Sequence, residues 1–162
     1  MRSKSWVLLL EFVALTVPLT WLWIVWGRDA YHAFFTVAAA PFLSLLGTPP
    51  LQLAESPQRF INYVPFLVLM LITPGLSARR RTLGSLLGIF LIFLCHVGMV
   101  WVAFKAYSEA RSTAKAFPMV FPSLLISDAL PFVLWAIIAH EFVRDMMTRA
   151  MAKVAPQSPP ES

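Results

Sequence analysis

Four long apolar stretches dominate this sequence, at residues 6–26, 60–76, 83–104 and 121–139. Each is close to the roughly 20 apolar residues that an α-helix needs to cross the hydrocarbon core of a bilayer. A backbone in lipid must satisfy its own hydrogen bonds, and a helix does so within a single segment. The pattern therefore predicts an all-α fold, a polytopic membrane bundle with four transmembrane helices.

The composition favours a membrane protein and excludes a water-soluble domain. Hydrophobic residues make up 59% of the 162-residue chain and charged residues 13%, whereas soluble domains carry about 25% charge. A pI near 9.9 would suit a nucleic-acid-binding protein, but the basic residues are scattered apart from the run 79–81. We therefore expect a lipid bilayer around the chain and no nucleic acid partner. The single cysteine, Cys95, excludes an internal disulfide and a cysteine-based zinc site.

The first apolar stretch, residues 6–26, is predicted to remain in the membrane as an anchor. It is longer than the apolar core of a secretory signal peptide, and no small-residue cleavage site follows it. The stretch ends instead in Trp21, Trp23 and Trp26, and tryptophan is typical of the membrane–water interface.

Basic residues predict the orientation, because Lys and Arg gather on cytoplasmic loops. With both termini in the cytoplasm of a bacterial-type inner membrane, eight basic residues lie inside and five lie outside. The run 79–81 occupies a tight loop that would be hard to translocate. The inside set is Arg2, Lys4, Arg79, Arg80, Arg81, Arg144, Arg149 and Lys153, and the outside set is Arg28, Arg59, Lys105, Arg111 and Lys115.

Residues 31–47 form a fifth apolar segment, which we expect to be an interfacial or partly inserted helix at the outer face. Pro41 lies in its middle, and polar residues crowd its start. If this segment crossed the bilayer, the basic run 79–81 would lie outside, against the charge rule. Residues 1–153 are thus predicted to form one bundle, followed by a disordered tail, rich in Pro and Ser, at 154–162.

Ionisable groups at membrane depth are costly, so each one is a candidate functional residue. Three lie inside the predicted spans: Glu11, His96 and Asp128. By helix rise, His96 and Asp128 lie at similar depth, roughly 10–12 Å below the outer surface, on consecutive antiparallel spans. An imidazole and a carboxylate so placed form either a functional site or a buried pair that fixes the helix register. Glu11 lies near the inner end of its span, where it reaches interfacial water or a neighbouring helix.

Other motifs indicate packing or nothing specific. Gly84 and Gly88 form a G-x-x-x-G pattern, which allows close approach of two helices. His140 and Glu141 are not followed by the second histidine of the His-Glu-x-x-His zinc motif, and there is no nucleophile elbow. We therefore expect no catalytic residue, no metal and no cofactor. The polar candidates for the outer face are Arg28, Asp29, His32 and Asn62.

A short pattern links the second and third spans. Residues 72–77 read Ile-Thr-Pro-Gly-Leu-Ser, the basic run 79–81 follows, and Gly84 and Gly88 open the next span. This layout resembles the middle of the exosortase/archaeosortase family over about residues 60–142. Members of that family are multi-span, transpeptidase-like enzymes that process C-terminal anchor signals during protein sorting.

The catalytic residues of that family have no counterparts at the matching positions. Residues 59–63 lack the expected cysteine, residues 96–99 lack the expected arginine, and residues 126–128 lack the expected histidine. Cys95 lies on the wrong span to replace the first of these. The resemblance therefore implies a non-catalytic relative, similar to the small membrane proteins associated with exosortases.

These observations leave three classes of function open. The first expectation is a non-enzymatic inner-membrane protein that acts as an accessory or assembly partner of another membrane protein, an exosortase-type sorting enzyme. The alternative is a small transport or proton-coupling subunit that uses His96 and Asp128. A membrane hydrolase or transferase with an unrecognised site is the third.

Overall fold

The computed structural model describes residues 5–48, 63–110 and 112–154, and this part of the chain contains helices and no strand. The all-α class predicted from the apolar stretches is thus confirmed for these residues. The helices are α1 (Ser5–Leu22), a π-helical segment (Trp23–Gly27), α2 (Arg28–Leu45), α3 (Tyr63–Ile72), α4 (Ala78–Ala110), α5 (Thr113–Ile138) and α6 (His140–Val154).

Helices α1 and α2 are joined without a loop, because the π-helical segment Trp23–Gly27 connects them. The sequence predicts two separate helices here, and that separation is wrong. A straight helix of this length would measure about 60 Å, twice the thickness of a hydrocarbon core. Helix α2 nevertheless stays against the bundle, where Phe35, Ala39 and Leu43 are buried.

Helix α2 packs against α4 around Phe93. The rings of Phe34, Phe35 and Phe42 all lie near the Phe93 ring, with centroid distances of 6.2, 5.6 and 6.0 Å. Phe35 and Phe42 are seven positions apart on α2, about 10 Å by helix rise, so the Phe93 ring lies between two successive turns of this face of α2. Residues 31–47 are therefore packed against the middle of the bundle rather than lying apart from it.

The described part of helix α3 is short and half-buried. Its ten residues rise about 15 Å, half of a hydrocarbon core, where the sequence predicts a span over 60–76. It ends before Pro74, which has no amide hydrogen to donate, and Gly75, whose φ of 77° turns the chain. Half of α3 is buried: Tyr63, Val64, Phe66, Val68 and Met70.

Three helices of the described residues are long and apolar enough to cross a membrane: Trp6–Leu45, Ala78–Ala110 and Ala114–Ile138. Two of them contain the third and fourth predicted spans, and helix α4 extends beyond the apolar stretch at both ends. Because the described part of α3, which begins at Tyr63, is too short to be counted with them, a fourth span is not confirmed.

Two glycines allow α3 and α5 to approach α4 closely. A Cβ atom on Gly88 would overlap the ring of Phe66, and one on Gly84 would lie 2.7 Å from Cγ2 of Ile138. Both glycines are buried, and the Phe66 side chain that fills the space over Gly88 is itself fully buried. The G-x-x-x-G pattern thus lies where three helices meet.

Polar contacts tie the loop between α3 and α4 to α5. The indole N–H of Trp135 donates to Oγ1 of Thr73 at 2.8 Å, and Nη2 of Arg81 donates to the Thr73 carbonyl oxygen at 3.0 Å. Arg80 extends the contact to α6, since its Nη1 lies 2.9 Å from Oε1 of Glu141. The basic turn and the start of α6 therefore lie at the same end of the bundle.

Candidate functional site

A buried polar cluster lies where α2, α3 and α4 meet. Oη of Tyr31 is 2.9 Å from Oη of Tyr63 and 2.9 Å from Nδ1 of His96, so one phenol joins the other two side chains by hydrogen bonds. The imidazole of His96 is fully buried, and Tyr63 is nearly so. We refer to Tyr31, Tyr63 and His96 as the tyrosine–histidine cluster.

Aromatic packing encloses this cluster. The ring of Tyr63 stands edge-on to the imidazole of His96, with centroids 5.4 Å apart, and Tyr31 meets both rings in the same manner. Trp23, in the π-helical segment, covers the two tyrosines at 5.8 and 5.9 Å. Edge-to-face contacts of this kind add to the stabilisation that comes from burial.

The chemistry of the cluster suits a structural network. A phenol offers one donor and two acceptor positions, and a neutral imidazole offers one of each, so Tyr31 can link Oη of Tyr63 to Nδ1 of His96 without a charged group. In surroundings of low polarity such a network is stronger than in water and fixes the relative positions of the helices that carry it. Helices α2, α3 and α4 are thereby held together, although Tyr31 and His96 are 65 residues apart in the sequence.

Asp128 is not part of this cluster. Its side chain is exposed on α5, and within the described part of the chain it has no hydrogen bond or ion pair. The neighbouring residue, Ser127, is buried and contacts Cys95, which places Asp128 at the level of the middle of α4. No pair with His96 is seen within the described residues, since Asp128 is exposed and the imidazole of His96 is fully buried.

The exposed side of α5 around Asp128 is apolar. Four large side chains lie at positions −11, −7, −3 and +4 from the carboxylate, which is the spacing of one helix face. All four are about half exposed. We refer to these residues as the Asp128 face: Phe117, Phe121, Leu125, Asp128 and Phe132.

The remaining predicted polar residues do not assemble into a site. Glu11 is exposed on α1. At the start of α2, Nε of Arg28 lies 3.2 Å from Oδ1 of the adjacent Asp29, and the carbonyl of the half-buried His32 accepts a hydrogen bond from Oγ1 of Thr36. Asn62 lies outside the described residues. In the described ranges, no three His, Cys, Asp or Glu side chains group in a way that would hold a metal ion.

Sequence reasoning missed the two tyrosines of the cluster. Hydropathy counts a phenol among the apolar aromatic residues, so Tyr31 and Tyr63 did not stand out in apolar segments. A signal was present nonetheless, because a tyrosine buried in such a segment needs a partner for its hydroxyl. The whole chain has three tyrosines, so they form a short set of candidate partners for a histidine in the third span.

No family model, no curated protein and no solved structure matches this sequence or its fold. The resemblance to exosortases thus rests on the residues of this chain alone, in the turn 72–81 and at Gly84 and Gly88. The class defined by the structure is an all-α protein with helices long and apolar enough to cross a membrane.

Proposed function

We propose that this chain is a non-enzymatic membrane subunit that assembles with another membrane protein through the Asp128 face of α5. One observation carries the proposal: a carboxylate is exposed on an apolar helix, at the level where that helix would cross the hydrocarbon core. An aspartate at the centre of a lipid-facing helix costs about 2.5–3.5 kcal/mol. A partner helix that donates hydrogen bonds would remove most of this cost.

The arrangement around Asp128 supports a helix as the partner. The members of the Asp128 face follow one another at intervals of three and four residues, the spacing by which two helices interlock their side chains. The aromatic rings offer a large apolar area, and the carboxylate in their midst would fix the register, as buried polar residues do between helices. The chemistry of the partner follows: an apolar helix with Arg, Lys, Asn, Gln, Ser or Thr at that depth.

An exosortase-type sorting enzyme is the partner that we propose first. Support comes from the residues of the turn 72–81 and from Gly84 and Gly88, which resemble that family although its catalytic residues have no counterparts. In this setting the protein would lie in a bacterial-type inner membrane with both termini in the cytoplasm, as the basic residues at 79–81 favour. Wild-type sorting in a deletion strain would contradict this choice of partner.

Affinity purification of the tagged, full-length protein in mild detergent tests the assembly. We expect a stoichiometric partner to purify with the wild type, to be weakened by Asp128→Asn and to be lost with Asp128→Leu. Glu109→Gln is the matched control, because it neutralises another exposed carboxylate at the end of α4, away from the Asp128 face. Equal recovery of the partner with Asp128→Leu and Glu109→Gln would contradict the proposal.

Photo-crosslinking identifies the face that is used. A crosslinking amino acid in place of Leu125 lies on the Asp128 face, whereas one in place of Ile126, which is also more than half exposed, lies about 100° further around the helix. We expect crosslinks to the partner from position 125 and to lipid from position 126. The reverse result would place the interface elsewhere, and crosslinks to a second copy of the chain would replace the separate partner by a homodimer.

A small transport or proton-coupling subunit is the second candidate. The observation that favours it is the hydrogen-bonded chain of Tyr31, Tyr63 and His96, since linked phenol and imidazole groups are suited to proton transfer. The exposed position of Asp128 weighs against it, because the carboxylate does not join that chain. Proton flux into vesicles that is unchanged by both His96→Gln and Asp128→Asn would remove this candidate.

A further inference from the structure

We infer that α6 lies on the surface of the membrane at the basic end of the bundle, with its apolar side in the lipid and its arginines on anionic headgroups. This interaction is separate from the assembly proposed for the Asp128 face. It concerns a different helix and a different kind of partner, a lipid surface.

The residues of α6 divide into two sides. At about 100° per residue, the apolar residues from Phe142 to Met151 fall on one continuous arc, and the charged residues from Glu141 to Arg149 fall on the other. His140 in the first turn and Lys153 in the last turn fall within the apolar arc, Lys153 next to the edge marked by Arg149. Met146, Met147 and Met151 lie on the apolar arc and are 38, 55 and 63% exposed. The apolar arc comprises Phe142, Val143, Met146, Met147, Ala150 and Met151, and the polar side comprises Glu141, Arg144, Asp145, Thr148 and Arg149.

The charges of α6 are ordered around the helix. By the same rotation per residue, Arg144 lies next to one edge of the apolar arc and Arg149 next to the other, while Glu141 and Asp145 lie at the centre of the polar side. Arginine at the edges of an apolar face can extend its aliphatic stem along the lipid and place its guanidinium among headgroups. The acidic groups then face water, away from the anionic surface.

The position of α6 in the fold brings this face to the edge of the bilayer. Helix α6 begins at His140, directly after the long apolar helix α5 ends at Ile138. Its first turn is tied to the basic turn, because Glu141 pairs with Arg80 at 2.9 Å. The guanidinium of Arg80 lowers the pKa of the Glu141 carboxyl, so this carboxyl stays ionised and paired at neutral pH.

An anionic lipid surface fits these features better than a protein groove. A helix that projected into water from this point would expose three methionines, whereas a helix lying in the interface buries them. The flanking arginines complement the negative charge of such a leaflet, and each basic residue near an anionic surface raises the partitioning of a segment onto it about fivefold. The neighbouring Arg79, also exposed, adds to the same positive region.

Site-directed fluorescence in lipid nanodiscs tests the inference on the full-length protein. In a cysteine-free background made by Cys95→Ala, one sample carries a bimane label at Met147→Cys and another at Thr148→Cys. The nanodiscs contain either phosphatidylcholine alone or phosphatidylcholine with phosphatidylglycerol. We expect brominated lipid to quench position 147 and iodide to quench position 148, with the difference larger in the anionic discs.

Charge variants separate headgroup binding from apolar burial. Replacing Arg144 and Arg149 together by Gln should lower the lipid quenching of position 147 in anionic discs by several-fold, and high salt should have the same effect. Lys115→Gln is the matched control, an exposed charge on α5 at the opposite end of the bundle, and should change nothing.

Two results would overturn the inference. Equal access of iodide to positions 147 and 148 in both kinds of nanodisc would mean that α6 projects into water. Shielding of position 147 that appears only when another protein is added, and not in anionic lipid alone, would assign the apolar face of α6 to a protein partner.

Discussion

The tyrosine–histidine cluster and the Asp128 face both contain polar groups at nearly the same level of the bundle. Those of the cluster are hydrogen-bonded inside the bundle, and that of the Asp128 face is exposed on its outside. In the cluster, Tyr31 lies 2.9 Å from both of its partners, and aromatic rings enclose all three side chains. On the outside of α5, a carboxylate lies exposed among apolar side chains. The hydrogen bonds of the cluster join side chains of this chain, whereas the carboxylate of the Asp128 face has no hydrogen bond to the described residues.

This difference separates structural from functional polarity in a membrane protein. Buried polar groups that satisfy one another hold helices in place and need nothing from outside. A charged group that faces away from its own bundle gains nothing for the fold and carries the desolvation cost of lipid unless something binds it. The exposed group is therefore where a partner is to be sought.

The largest effect on folding is expected inside the bundle, directly beneath the cluster. Gly88→Ala places a methyl group into the ring of Phe66, which is fully buried and cannot move away easily. Overpacking of this kind costs about 1–3 kcal/mol of unfolding free energy, measurable by thermal unfolding in mild detergent. Gly98→Ala is the control: its Cβ meets nothing within 4 Å, and it should be neutral or slightly stabilising.

A loss of about 2 kcal/mol is expected when the cluster is opened by Tyr31→Phe. The substitution keeps the ring but removes the hydroxyl that both other members contact, and leaving buried polar groups without a partner costs about 1–3 kcal/mol. Tyr107→Phe, at a half-exposed position on α4, provides the comparison and should have little effect. Equal stability of the two variants would show that the cluster contributes nothing to the fold.

The sequence predicted the parts of the fold that depend on long apolar runs. The stretch 83–104 lies within α4 and all but the last residue of 121–139 lies within α5, since a helix satisfies the backbone hydrogen bonds of an apolar run within one segment. The predicted ends of the helices were less accurate than their positions. Helix α4 extends from Ala78 to Ala110, beyond the apolar stretch 83–104, because charged residues at helix ends can reach water without breaking the helix.

The sequence could not predict which way the polar side chains face. Helix α5 is apolar on nearly every side, so no periodicity distinguished the side of Asp128 from the side of Ser127, although one is exposed and the other buried. Similar depth suggested that His96 would meet Asp128. The actual partner, Tyr31, became available because α2 continues from α1 and packs against α4, a long-range contact that no local pattern encodes.

The smallest effect is expected at the exposed ion pair between Arg80 and Glu141. Arg80 lowers the pKa of Glu141, so the pair stabilises the protein above the pKa that this carboxyl has in the unfolded state. The contribution is lost as the pH falls through the lower pKa of the folded state. Both side chains are more than half exposed, so the effect should be slight and screened by salt.

Unfolding midpoints of wild type and Glu141→Gln, followed against pH at low salt, check this expectation. The two should differ slightly at neutral pH and converge under acid conditions. A difference that grows as the pH falls would reverse the sign of the predicted effect.

The central claim is that the Asp128 face is completed by another protein, and the most direct measurement follows Asp128→Leu in two assays on the same preparation. One assay quantifies the co-purified partner, and the other records the thermal unfolding of the isolated chain in detergent. We predict complete loss of the partner with an unchanged or higher unfolding midpoint, because an exposed leucine suits an apolar surface better than a carboxylate. Retention of the partner, or a clear fall in the midpoint, would contradict the account.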